Sequence, residues 1–318
     1  MSGSRPLVSV VLSFRNEEEV LPELVARLAK ALRGADLDYE LIFVNDASTD
    51  RSLAVLEAER KADPRIKIVN MSRCFGVAPC VVAGMKLSRG DAVVYMDADL
   101  QDPPELVPEL VARWRDGAEV VYTVRTVRHG ESAAKRLITR AAYRLIRFAS
   151  EIELPIEAGD FKLLSRRALD RLLELPEREL YVRGLVAWVG FRQVAVPYAR
   201  AARGAGRSHF PLLGSWGPAA SFAAALTSFS YAPLLAFLGL GAAGCMLALA
   251  AVLTAGVLRV AGVSWAAGAG LVAFGFLLWA TLVLGIGVVG LYLARIHREV
   301  LGRPRYVIES TIGFDEPA

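Results

Sequence analysis

Short, β-branched apolar runs alternate with stretches of helical spacing through the first 130 residues of the chain. Leu7–Phe14 (LVSVVLSF), Glu40–Val44 (ELIFV), Ile66–Met71, Ala92–Met96 (AVVYM) and Glu119–Val124 are runs of the kind that fill a buried sheet. Between them, Val20, Leu21, Leu24, Val25 and Leu28 recur at helical spacing within Glu17–Arg33, and Val77–Leu87 reads as another helix. Asp50 is placed to cap the helix after the second strand, and Pro103-Pro104 starts one after the fourth, since a first turn tolerates proline. Strands alternating with helices predict an α/β domain with a mostly parallel, Rossmann-like sheet. Ligands of such sheets bind beyond the carboxyl ends of the strands, where Asp46, Asp97 and Asp99 stand. No GxGxxG follows the first strand, which weighs against a dinucleotide dehydrogenase.

The pattern then changes twice. Ser132–Ala149 reads as a basic amphipathic helix, followed by Gly159-Asp160-Phe161 and a short strand over Lys162–Ser165. From Ser208 to Leu258 there is no Asp, Glu, Lys or Arg, and after Arg259 the stretch Val260–Ala294 is again free of them. A bilayer is spanned by about 20 apolar residues. The expected organisation is therefore a catalytic domain over 1–207, interfacial helices over 208–230, two transmembrane helices within 231–295 and a tail over 296–318. The interfacial segment carries Trp216, Phe222 and Phe229, and the spans, near Ala232–Leu258 and Leu271–Ala294, carry small residues suited to close packing: Gly239, Gly241, Gly244, Gly285, Gly287 and Gly290. Arg295, His297, Arg298, Arg303 and Arg305 follow the second span, whereas Arg259 alone lies between the two, so the positive-inside rule puts both ends in the cytoplasm.

Composition sharpens this picture. The 318 residues are 54% hydrophobic with a mean hydropathy of +0.39, high for a wholly soluble enzyme. A net charge of +4 without a long Lys/Arg block argues against nucleic acid and suits an anionic membrane or a phosphorylated substrate. Cys74, Cys80 and Cys245 make no CxxC pair and read as reduced thiols, and His129, His209 and His297 are too scattered for a zinc site. No signal peptide is expected from the first residues.

The densest chemistry is Asp97-Ala98-Asp99-Leu100-Gln101-Asp102. Two carboxylates two residues apart on extended backbone point the same way and, at a strand end, make a mouth for Mg²⁺ or Mn²⁺, with Gln101 continuing the alternation as a third ligand. A solvated acidic turn before a helix is the plain alternative. Arg200, Arg203 and Arg207 fall at spacings of three and four, yet Gly204 and Gly206 favour a loop able to wrap a phosphate.

Read together, VSVVLSFRNEEE (8–19), LIFVNDASTD (41–50), RCFG (73–76), GDAVVYMDADLQDPPEL (90–106), GDFKLLSRRALD (159–170), VRGLVAWVGF (182–191) and TSFSYAPL (227–234) resemble family-2 glycosyltransferases of the polyprenyl-phosphate branch, similar to dolichol-phosphate mannose synthases and bactoprenol glucosyltransferases. The resemblance implies a GT-A fold, a divalent cation, a nucleotide-sugar donor, a polyprenyl phosphate acceptor, inversion at the anomeric carbon and a plausible homo-oligomer in the cell membrane. It implies metal and diphosphate roles for Asp97, Asp99 and Gln101, donor-nucleoside positions for Arg15, Glu17 and Asp46, a catalytic carboxylate at Asp160, and acceptor-phosphate contacts at Arg200 and Arg203. Arg183 matches a family cation, with surface pairing as its alternative, and a helix cap or turn is the alternative for Asp160. The chain departs from the family at Ser13, where Pro is common, at Cys74, where Asn is common, and at Val77, Arg207, His209 and Ala232. Three rival readings are a processive polysaccharide synthase, for which no Q-x-x-R-W motif is found, a non-catalytic nucleotide-sugar-binding scaffold, and a transporter, for which neither span has an Asp, Glu, Lys or Arg.

Overall fold

A computed structural model of the chain describes residues 5–127, 158–177, 181–199, 232–262 and 266–315. The expected helix over 132–149, the interfacial segment 208–230, and Arg200, Arg203, Arg207 and His209 lie outside the described residues.

The apolar runs form strands β1 (Leu7–Phe14), β2 (Asp38–Asn45), β3 (Ile66–Met71), β4 (Ala92–Asp97) and β5 (Val120–Val127), followed by β6 (Ala158–Ser165), β7 (Gln193–Ala199) and β8 (Ile308–Ile312). They make one sheet in the order β7-β5-β6-β4-β1-β2-β3-β8. Pairings β1–β2, β1–β4, β2–β3 and β5–β7 are parallel, and only β6 and β8 run against the rest. The carboxyl ends of β1, β2, β3 and β4 therefore share an edge with the amino-terminal end of the reversed β6. The chain leaves β7 at Ala199 and enters β8 near Ile308 on that same edge.

Helices cover both faces. On one, α1 (Leu21–Arg33), α2 (Ser52–Ala62) and α4 (Val107–Arg115) bury Leu24, Leu28, Leu56 and Leu110 against Val10, Leu12 and Phe43. On the other, α3 (Val77–Leu87), α5 (Arg166–Glu174) and α6 (Val182–Trp188) bury Val81, Leu169 and Leu185 against Val11, Val44 and Tyr95. Helix α3 lies so close to the sheet that a Cβ on Gly84 would stand 2.4 Å from Val11 Cγ1. Expected elements and structure differ at several ends. Residues 17–20 form a turn, because Pro22 belongs in the first turn of α1. Asp50 does accept the Ser52 amide at 3.0 Å, although Arg51 occupies the cap position.

Helices α7 (Ala232–Val260) and α8 (Ala266–Val300) pack on each other. Their apolar stretches Leu234–Leu258 and Phe274–Val300 are 25 and 27 residues long, enough to cross a membrane, and side chains such as Leu238, Leu253, Phe276 and Trp279 are exposed. Only part of the expected glycine seam is used: Gly244 faces Leu278 and Gly285 faces Phe237, while Gly239, Gly241, Gly287 and Gly290 meet nothing within 4 Å. The tail after α8 does more than trail away. It returns as β8, antiparallel to β3, an element the sequence pattern did not announce.

Candidate active site

Three sharp turns shape the edge where the strands end. Asn16, Ala47 and Leu100, in the turns after β1, β2 and β4, have φ of 56°, 54° and 58°. Left-handed backbone is costly for residues other than glycine and persists where the surroundings over-determine it, a condition common at functional sites.

At the end of β2, Asp46 is only 6% exposed. It accepts the backbone N–H groups of Phe75 and Gly76 at 2.6 and 2.9 Å and the Cys74 thiol at 3.2 Å. Its carboxylate thus holds the 73–76 segment against the sheet at the start of α3. Arg15 Nη1 donates to Cys74 Sγ at 2.6 Å, so Arg15, Cys74 and Asp46 form one chain. Burial first, then the hydrogen bond to the Asp46 carboxylate, pushes the Cys74 thiol up from its ordinary pKa. Glu17 is buried and its N–H donates to Ser52 Oγ at 2.9 Å, tying the turn after β1 to α2.

At the end of β4, Asp97 closes the strand and Asp99 lies in the following turn, both half-buried. Asp99 Oδ1 accepts the Gln101 N–H at 3.1 Å. The extended backbone expected through Gln101 is broken at Leu100, so Gln101 does not continue a strand alternation; its link to Asp99 is through its own amide. Asp102, fully buried, accepts from the Tyr198 hydroxyl of β7, a tie to the segment that leads into Arg200. The carboxylates of Asp97 and Asp99 are hard oxygen donors, neither of them fully buried. Among the described residues no three His, Cys, Asp or Glu side chains gather into a metal cage. Two carboxylates leaving the other positions to water and ligand oxygens fit Mg²⁺ or Mn²⁺ and do not fit a closed zinc site.

Asp160 lies across from them. In the β4–β6 pairing Tyr95 stands opposite Lys162, and two residues further along each strand stand Asp97 and Asp160. Asp160 is gripped by Arg183 of α6 in a fork: Nε donates to Oδ1 at 2.5 Å and Nη2 donates to Oδ2. Arg183 is paired, but not with a surface acid: its partner is the part-buried carboxylate of the Gly-Asp-Phe motif. Asp160 is thus a strand residue and not a cap. Beneath this pair, Lys162 is 2% exposed, and burial draws its ammonium down to about 8, opposed by the Asp160 carboxylate and aided by the Arg183 charge. The Tyr95 hydroxyl is buried with no hydrogen-bond partner among the described residues. Burial, with the Asp160 carboxylate next, pushes its pKa well up. Lys162 and Tyr95 have no role in the sequence reading, where a lone Lys in an apolar strand at 162 is the one available signal, and Asp102 figures there only as the end of the acidic run.

The sequence profile of glycosyl transferase family 2 matches residues 9–173, which span β1 to α5. An uncharacterised glycosyltransferase of Bacillus subtilis (strain 168), YkcC, is 38% identical over 311 residues, covering 96% of this chain and 94% of its own. The bactoprenol glucosyl transferase of Shigella phage SfII is 33% identical over 321 residues, covering 96% of this chain and 98% of its own. Among solved structures, glucosyl-3-phosphoglycerate synthase from Mycobacterium tuberculosis, in complex with Mn²⁺, uridine diphosphate and phosphoglyceric acid, superposes with a TM-score of 0.52 at 20% identity over 70% of this chain and 76% of its own. With the profile covering the sheet and its site, and with relatives matched almost end to end, the chain belongs to glycosyl transferase family 2 and is a glycosyltransferase of GT-A fold.

Proposed function

We propose that the protein transfers a sugar, with inversion, from a UDP- or GDP-linked donor to a polyprenyl phosphate, undecaprenyl or dolichyl, at the cytoplasmic face of the cell membrane. The observation that carries this reading is topological: β7, the last strand before the membrane-length helices, ends at Ala199, and β8, the first after them, begins at Ile308, both on the sheet edge where β4 ends in Asp97 and β6 brings Asp160 opposite it. A lipid-borne acceptor needs a site that opens towards the bilayer. The phage relative, named for glucosyl transfer to bactoprenol, supports the acceptor class, and the synthase complexed with Mn²⁺ and uridine diphosphate supports donor and metal.

In this reading Asp97 and Asp99, with Gln101 alongside, are the residues that would hold Mg²⁺ or Mn²⁺ at the donor site. Such a cation, when bound, neutralises charge that builds on the departing diphosphate. Arg15, Glu17 and Asp46 shape the nucleoside side, Asp46 by fixing the 73–76 segment through its accepted amides. Arg200 and Arg203 meet the acceptor phosphate on the strength of the resemblance alone. Asp160 serves as an orienting group. A phosphate monoester has its second pKa at about 6, so the acceptor is largely dianionic near pH 7 and needs little help from a base. A carboxylate already clamped by a guanidinium is a poor proton acceptor and a good anchor for that cation beside an anionic substrate. The hairpin α7–α8 anchors the enzyme with both ends cytoplasmic.

Purified full-length protein with undecaprenyl phosphate and each common UDP- and GDP-sugar tests the proposal. One donor should give a lipid-phosphate-linked sugar, with activity lost in EDTA and restored by Mn²⁺ or Mg²⁺. Failure with every donor, or transfer indifferent to chelation, would sink it.

A further inference from the structure

The donor side of the site is held by a run of small polar side chains that ends on β8. Ser310 Oγ accepts from Asn70 Nδ2 at 3.0 Å, Asn70 Oδ1 accepts from Asn45 Nδ2 at 3.1 Å, and Asn45 Oδ1 accepts the Ser48 N–H at 2.9 Å. Ser48 Oγ then accepts the Asn16 N–H at 3.1 Å, and Asn16 Oδ1 accepts the Thr49 N–H at 2.8 Å. The run crosses β8, β3 and β2 and finishes in the turn after β1. Asn45 and Asn70 are 5% and 7% exposed, so a missing link leaves a buried amide unsatisfied.

What this run supports is specific. Two of its members lie in or beside the left-handed turns at Asn16 and Ala47. Those turns are flanked in sequence by Arg15, Glu17 and Asp46. A second attachment runs parallel to the first: the Ser72 N–H donates to the Val307 carbonyl at 3.0 Å, just before the 73–76 segment that Asp46 holds. The strand at the end of the run follows α8, the second membrane-length helix, which ends at Val300.

We propose that β8 is a working part of the donor site, with Ser310 as a positioning residue. Through Asn70 and Asn45 it holds the loops bearing Arg15, Glu17 and Asp46 in the geometry that binds a nucleoside diphosphate. Donor affinity thereby depends on the C-terminal strand being docked on β3, and so on the segment delivered by the membrane hairpin. The inference rests on the reading that the nucleotide binds at this edge. A neutral amide–hydroxyl run carries no charge to the reacting atoms, so its effect falls on binding and leaves the chemical step alone.

The test compares Ser310→Val with Ser310→Thr in the full-length protein. The two replacements have nearly the same shape and differ in the hydroxyl, and Ser310 is exposed on an edge strand, where both are tolerated. Titration with UDP and GDP in Mn²⁺, donor KM and kcat, and hydrogen exchange over residues 14–18 and 45–50 are the readouts. Ser310→Val should raise nucleotide Kd and donor KM about three- to tenfold, the factor of one such hydrogen bond, with kcat unchanged and faster exchange at Ser48 and Thr49. Ser310→Thr should restore all of these. Equal nucleotide affinity in the two variants, with wild type binding normally, overturns the inference and leaves the donor reading standing. If wild type binds neither nucleotide, the donor reading falls and the inference with it.

Discussion

The two sides of the site are built from different materials. On the β1–β2–β3 side, order comes mainly from neutral hydrogen bonds, those of the Asn16–Ser48–Asn45–Asn70–Ser310 run, beside one carboxylate, Asp46, that is filled by backbone amides. On the β6–α6–β7 side, order comes from charge: the Asp160–Arg183 fork, the buried Lys162, and Asp102 taking the Tyr198 hydroxyl. Neutral bonds fix shape and are indifferent to pH and salt. Buried ions cost desolvation, so their presence is weak evidence for stability and better evidence for a task. The difference suits the division of labour proposed above, with the donor nucleotide on the first side and the acceptor phosphate on the second. β4, with Asp97 and then Asp99, is the seam between them.

The largest effect should come at that seam. Asp97→Ala and Asp99→Ala should each lower kcat by about 10²–10³-fold, the scale of losing one preorganised electrostatic contact, while melting temperature in EDTA changes little because both carboxylates are half-exposed. Transfer rates with and without Mn²⁺ check this. An equally large loss from Asn45→Ala would erase the distinction between seam and neutral side.

Next comes the charged side itself. Asp160→Asn keeps the shape but cannot accept both arms of the Arg183 fork, and Arg183→Lys removes the fork. If Asp160 orients a cation, both variants should lose activity to a similar degree, about tenfold, with donor KM unchanged. A drop of about 10²–10⁴-fold for Asp160→Asn alone, with nucleotide binding intact, is the signature of a true general base and would reverse that assignment.

Lys162 sharpens the comparison through pH. Its folded pKa is about 8, below the ordinary 10.5 of a lysine. Between those values the unfolded chain holds a proton that the folded protein lacks, so this residue makes stability rise with pH across that window. Below about pH 8 both states are protonated and the full cost of burying the charge applies. Lys162→Met should therefore be more stable than wild type at pH 7, by about 1–3 kcal/mol, and should lose the rise from pH 8 to 10.5. Denaturant unfolding at pH 7, 8.5 and 10 decides it; a parallel pH profile in the two proteins would mean that Lys162 carries no such cost.

Much of this was legible in the sequence, for a physical reason. β1 and β3 have the ends expected from their apolar runs, Leu7–Phe14 and Ile66–Met71, because each is buried over nearly its whole length, and α3 has those expected for Val77–Leu87, whose middle, Cys80–Met85, is buried on the sheet. The acidic pair Asp97 and Asp99 could be marked because its spacing is local and follows an apolar strand, whereas Asp160 was marked by the family resemblance alone. What escaped was long-range or locally silent. Arg183 reaches Asp160 across 23 positions and Tyr198 reaches Asp102 across 96, distances at which no periodicity speaks. Leu100 turns left-handed without Gly or Asn to announce it. β8 is a short edge strand, IESTI, mostly exposed, so it lacks the apolar signature that marked the others.

The smallest predicted effect tests the neutral side most finely. Ala47 and Leu100 share the same left-handed backbone, and glycine would relieve each of about 1–2 kcal/mol of steric cost, less about 0.5–1 kcal/mol for the freedom glycine gains on unfolding. For Ala47→Gly little else changes, so stability should rise by no more than about 1 kcal/mol, and nucleotide Kd should stay within about twofold because the Asn45 and Asn16 bonds still hold the loop. Leu100 is different: its side chain packs against the core, so Leu100→Gly trades relief of strain for lost burial and should destabilise. Thermal melts of the two variants, with nucleotide titration of the first, separate these cases. A marked loss of nucleotide affinity in Ala47→Gly would mean that the stiffness of Ala47 itself, and not the run of side chains from Ser310, keeps the donor loop in place.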